Sequence, residues 1–138
     1  MNVNKLILLS LMSAPFLPLS AQMTTDRKEE AVISKENGST IVNTTTLAED
    51  IEGYAGPTPL KIYIKKDKVE KIEPLKNIET PKYFALIKRD LLNKWNGLTV
   101  KKATTQEVDV ITGATYSSEA VIENIRRGLE YYSKNGKK

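Results

Sequence analysis

None of the 138 residues is Cys or His, so this chain folds without a disulfide and without a thiolate or imidazole metal site. The same absence removes the thiol nucleophile, iron–sulfur ligation, a lipid-modified cysteine and the usual general base at neutral pH. Chemistry has to come from carboxylates, hydroxyls, backbone amides or a borrowed group. Hydrophobic residues at 40% and charged ones at 28% describe an ordinary soluble globular protein. The length suits one small domain of roughly 100–150 residues.

The first residues read as an address. Met1–Ala21 carries a lone Lys5 and then an apolar stretch, Leu6 to Leu19, of 14 residues. That is shorter than the roughly 17–25 residues of a membrane-spanning helix, and Pro15 and Pro18 interrupt its end. Ser20, Ala21 and Gln22 then suit cleavage after Ala21, giving an exported chain of 117 residues. An uncleaved anchor is the alternative.

Loss of the leader takes the formal charge from +4 to +3. Arg126, Arg127, Lys134, Lys137 and Lys138 against Glu130 put +4 on the C-terminal end, and Gln22–Ile125 sums to −1. No helix pairs this charge with donors to base edges, so nucleic acid is not an expected partner. Cations near a helix C-terminus, favoured by the macrodipole, explain the tail more simply. A partner docking around Arg126 and Arg127 stays open.

The expected organisation is a signal peptide over 1–21, a lead-in and hairpin over 22–48, one domain over 49–133 and a basic tail over 134–138. Gln22–Glu30 is polar. Asn37-Gly38 between Val32-Ile33 and Ile41-Val42 predicts a β-hairpin, and Thr44, Thr45 and Thr46 extend its β-favouring run. Gly53–Pro59 is a turn-rich break. Leu60, Ile62 and Ile64 alternate along the next strand, and Lys66-Asp67 turns it back. In the return strand Val69–Leu75, Val69 and Ile72 are out of two-residue register, which predicts a bulge.

Thr80-Pro81 opens a helix as cap and first residue. Tyr83, Phe84, Ile87, Leu91 and Trp95 continue its stripe to Asn96-Gly97. Val100–Gln106 reads as an edge strand. A last helix runs from about Ser118 to Ser133, with Val121, Ile125, Leu129 and Tyr132 buried and Gly128 marking close packing on the sheet. The predicted fold is α+β: a curled antiparallel sheet with two packed helices in a single small domain. Glu29-Glu30 and Glu49-Asp50 are neighbours that point apart, so neither makes an acid–base pair. No catalytic residue and no metal-ligand spacing is apparent.

One segment carries chemistry. Asp109-Val110-Ile111-Thr112-Gly113-Ala114-Thr115-Tyr116-Ser117-Ser118 is expected where a strand hands over to a helix. Small residues there admit a ligand close to the backbone, and a helix start offers N–H groups to a phosphate. The plainer reading is a capped helix after a tight turn, in a secreted interaction module.

The order Asp-x-x-Thr-Gly-Ala-Thr-x-Ser resembles the flavinylation motif of the FMN-binding domain family. That family includes flavin-carrying subunits of the sodium-pumping NADH:quinone oxidoreductase and of Rnf electron-transport complexes. Gly53-Tyr54-Ala55-Gly56-Pro57 and Glu79-Thr80-Pro81 resemble its glycine-tyrosine entry and flavin-side loop, so the likeness covers about 50–132. It implies FMN esterified through its phosphate to Thr115, moved from FAD by a magnesium-dependent flavin transferase that recognises the stretch containing Asp109. Thr112, Gly113, Ala114, Tyr116, Ser117 and Ser118 would then surround the phosphate. Tyr54, Gly56, Pro57, Thr58 and Thr80 would line the ring. Lys82-Tyr83-Phe84 follows Pro81 where the family tends to have glycine, which predicts a helical or closed loop. The implied protein is an electron carrier of the periplasm or another extracytoplasmic space, peripheral to the membrane, with a membrane or periplasmic redox partner. FMN held without a covalent bond is a further alternative.

Overall fold

The structure, a computed structural model, describes residues 31–136. The leader, its cleavage point, Gln22–Glu30 and the last two lysines lie outside the described residues. Four strands, β1 (Ile33–Glu36), β2 (Ser39–Asn43), β3 (Leu60–Lys65) and β4 (Lys68–Pro74), form one open antiparallel sheet in the order β1-β2-β3-β4. Three helices follow: α1 (Pro81–Asp90), α2 (Val100–Thr104) and α3 (Thr115–Asn135), with a 3-10 turn at Leu92–Trp95. The fold is α+β, as expected. No described helix is long and apolar enough to cross a membrane.

The tight turns form where the residues predict. Asn37 and Gly38 have φ of 51° and 85°, and Lys66 and Asp67 have 52° and 61°. Two consecutive positive φ values are what a two-residue hairpin needs to match strand twist. The bulge is present as well: Tyr63 pairs with Lys71 but Ile64 with Val69, leaving Glu70 as the extra residue. It turns both Val69 and Ile72 inward. The β1–β2 hairpin is part of the main sheet, because β2 pairs with β3 from Thr40↔Ile64 to Asn43↔Lys61.

Several expectations are corrected. The strand after Gly38 stops at Asn43, whose side-chain oxygen accepts from Thr45 N–H at 2.9 Å and from its hydroxyl at 2.6 Å. That local bond competes with the ladder and turns Thr45 and Thr46 away from it, while Thr44 N–H still donates to Leu60 O at 2.9 Å. The first helix is broken after Asp90 and resumes as the 3-10 turn, which brings Leu92 and Trp95 onto one buried side. Thr80 stands at its N-cap without a side-chain capping bond, and Tyr83 is 45% exposed instead of joining the core stripe.

Val100–Gln106 is not a strand. Val100–Thr104 is α2, its first turn capped by Thr99, whose hydroxyl accepts from Lys102 N–H at 3.2 Å. Val100 and Ala103, three apart, supply its buried side. Strand-like pairing survives only at the isolated bridge Lys68↔Thr99.

Helix α3 starts earlier than expected, at Thr115, and buries Val121, Ile125, Leu129 and Tyr132 as predicted. A β-carbon on Gly128 would sit 2.6 Å from Ile62 Cδ1 and 3.0 Å from Thr44 Cγ2. That close approach seats the helix on β2 and β3. The basic end is not a bare dipole effect: Arg126 is bonded to Glu123 and Glu130, and Arg127 to Glu123, Asp50 and Leu47 O. Lys134 is the one cation of the last turn. Arg127 thereby ties the 47–50 segment to α3.

Candidate functional site

The motif does not follow a strand; Val108–Ile111 has no regular secondary structure and no ladder partners, with Val108 and Ile111 half-buried against the core. A tight turn then closes through Ala114 N–H to Ile111 O at 2.9 Å. Gly113 at its third position has φ of 89°, a value that favours glycine. Ile111 N–H donates to Ser118 Oγ at 3.0 Å, and Ser118 is fully buried. The loop is pinned to the helix it starts.

Ala114 is the N-cap of α3, and no side-chain capping bond is made there. The plain helix-cap reading of these hydroxyls therefore lacks its hydrogen bond. By helix geometry the first N–H groups, those of Thr115, Tyr116 and Ser117, have no partner within the helix.

These three residues, with Gly113 and Ala114, form one side of a cleft of about 320 Å³, its floor, and Tyr54, Thr80 and Tyr83 complete the lining. Seven of these were expected from the sequence. Tyr83 was not, because its spacing fits the stripe of α1. The opening of α1 at Pro81, the helical loop expected after Thr80, aims Tyr83 at the cleft. Tyr54 and Tyr116 are 74% and 65% exposed, so three tyrosines ring the opening.

The other expected residues lie around the cleft instead of lining it. Thr58 is buried and accepts from Asn124 Nδ2 at 3.4 Å. Asn124 also accepts from Thr44 Oγ1 at 2.5 Å, and Thr44 Oγ1 in turn accepts from Leu60 N–H at 2.9 Å. This network joins the start of β3 to the middle of α3. Gly56 is buried beside Ile78, Pro57 pairs with Glu52 in an isolated bridge, and Asp109 and Thr112 are exposed outside the lining.

Glu79 is the residue that sequence reasoning quoted but gave no role. Its carboxylate accepts from the N–H groups of Tyr54 (2.8 Å), Ala55 (2.6 Å) and Gly56 (3.1 Å), and from the Ser117 hydroxyl. These partners lie 23 to 38 residues away along the chain, so no local pattern announces them. Gly53 makes the clamp possible: a β-carbon there would fall 2.2 Å from Glu79 Oε1 and 3.2 Å from Ser117 Cα. Gly53→Ala is expected to push the carboxylate off its donors and destabilise the fold by about 1–3 kcal/mol. A urea midpoint indistinguishable from that of the unaltered chain would refute it.

Burial by itself would raise the Glu79 carboxyl, but the Ser117 hydroxyl and the three amides outweigh it and hold it below its ordinary value. A group lowered in the folded state stabilises above its unfolded value and loses that contribution as pH falls through the folded one. The clamp is therefore complete at neutral pH and is lost below the ordinary glutamate range near pH ~4.3. Urea midpoints between neutrality and pH ~3 should fall, and fall less steeply in Glu79→Gln. Equal slopes would show that other carboxylates carry the acid sensitivity.

Fold and cleft together define a small binding module with an aromatic-rimmed pocket opening onto a helix start. The volume is at the low end for small-molecule sites. Flat aromatic surface beside unpaired helix N–H groups fits a ligand with both a planar ring and a phosphate. The family model of the FMN-binding domain matches residues 53–130, more than half of the chain, and the chain belongs to that family. No match emerged among curated proteins or solved structures.

Proposed function

We propose that this FMN-binding domain is an electron-transfer carrier whose FMN is joined through its phosphate to Thr115 Oγ1. One observation carries the reading. Among the Ser and Thr hydroxyls of the motif, Thr115 is the one that is both exposed and on the cleft floor. Ser117 and Ser118 are buried with their hydroxyls engaged, and Thr112 faces solvent outside the lining. A modifying enzyme has access to Thr115 where it lacks access to Ser117 and Ser118, and Thr112, though exposed, is not on the cleft.

The residues then divide the work. Gly113 and Ala114 add little bulk, so a phosphate on Thr115 can lie against the backbone and the N–H groups of the first turn. No acidic side chain stands in that turn to oppose it. Tyr54, Tyr83 and Tyr116 offer ring faces, and Thr80 a hydroxyl, to the planar part of the cofactor. When bound, the flavin supplies reversible electron uptake that no side chain of this chain provides.

Maturation would use a magnesium-dependent transferase with FAD as donor, the threonine oxygen replacing AMP at phosphorus. The apolar leader supports export, and the working place would be extracytoplasmic, at the membrane periphery, between a membrane donor and a second redox partner. The test is intact mass and visible absorbance after expression with a flavin transferase. A mass increase retained on denaturation is the expected result. An unmodified chain without flavin absorbance would overturn the proposal, and flavin released by denaturation would overturn the ester.

A further inference from the structure

Attachment at Thr115 makes no use of Glu79, yet it is among the most committed side chains of the molecule. It is 4% exposed and receives four hydrogen bonds. Among the described residues no Lys or Arg is ion-paired with it. Its partners are three amides and one hydroxyl, all neutral. Dipoles of that kind stabilise a charge without cancelling it. Through Ser117, the carboxylate stands one hydrogen bond behind the cleft floor.

We infer that Glu79 is a positioning residue with an electrostatic consequence: it fastens the Tyr54 wall of the cleft to the first turn of α3, and its uncompensated charge lowers the reduction potential of a flavin held there. The electrostatic half rests on the flavin reading of Thr115; the fastening half does not. Adding an electron to a group in the cleft places negative charge near a fixed negative charge, which disfavours the reduced form. A carboxylate in this position acts through protein, so added salt screens it weakly.

Two substitutions separate charge from geometry. Glu79→Gln removes the charge and turns an amide NH₂ toward backbone donors, so it breaks the clamp and the field together. Glu79→Asp keeps the charge but loses a methylene of reach, so it breaks the clamp alone. In the flavin-free chain, amide NMR should show Tyr54, Ala55, Gly56 and the first turn of α3 shifting in both variants, with Val121 and Leu129 in place. Unmoved amides at Tyr54–Gly56 in Glu79→Gln would overturn the clamp, whether or not Thr115 carries flavin.

In transferase-loaded protein, Glu79→Gln should shift the reduction equilibrium toward the reduced form by about tenfold. Glu79→Asp should stay near the unaltered value, and the Gln shift should persist in high salt. Equal shifts in the two variants would assign the effect to lost geometry and overturn the charge argument. No shift in Glu79→Gln would overturn it as well.

Discussion

Thr115→Ala is expected to yield a folded chain of unmodified mass and no bound flavin absorbance when it is produced with a flavin transferase. The effect is all-or-none on attachment because the other Ser and Thr hydroxyls of the motif are engaged below the surface or, for Thr112, lie outside the cleft lining. Ser117 donates to Glu79, and Ser118 accepts from Ile111 N–H beneath the surface. The fold should be nearly indifferent, because Thr115 is exposed at the first helical position and alanine is a good helix former. Thermal unfolding within a few degrees of the unaltered chain checks that half of the expectation. Covalent flavin surviving in the variant would relocate the ester. Thr115→Ser supplies the positive control, since it keeps the hydroxyl.

Trp95→Ala should remove about 3–5 kcal/mol of stability. Trp95 is 1% exposed, the largest of the fully buried side chains, and sits in the common core with Leu91, Leu92, Val69 and Ile72. Small domains are stable by only about 5–15 kcal/mol in total. The variant therefore stands close to the unfolding threshold at 25 °C. The measurement is the urea midpoint, with an unchanged slope distinguishing lost packing from a changed denatured state. A loss under about 1 kcal/mol would mean that the core collapses into the space, contrary to the close packing of interiors. The site lies on other elements, so flavin loading of the folded fraction should survive.

What was legible in the sequence was local. Asn37-Gly38 and Lys66-Asp67 carry their turns in their own backbone preferences, and the α3 stripe repeats over enough residues to identify its period. The bulge at Glu70 was readable because Val69 and Ile72 cannot share a face without one. Helix α2 was not readable: five residues with core positions at Val100 and Ala103 do not separate a helical period from a strand. Val108–Ile111 looked like a strand because it is mostly apolar, but it pairs with none of the four strands. Within the site, residues on the contiguous motif were found, while Tyr83 and Glu79 depended on distant partners. Clamps between segments tens of residues apart leave no periodic trace.

The family-matched segment begins at residue 53, but the sheet does not. Val42 is fully buried, and Thr44 joins Leu60 to Asn124, so β2 and the residue after it complete the core from outside that segment. A fragment trimmed to the matched boundaries would leave β3, with Leu60, Ile62 and Ile64, as an uncovered edge suited to self-association. The smallest autonomous unit is therefore larger than the recognisable one, and for recombinant work it starts before β1.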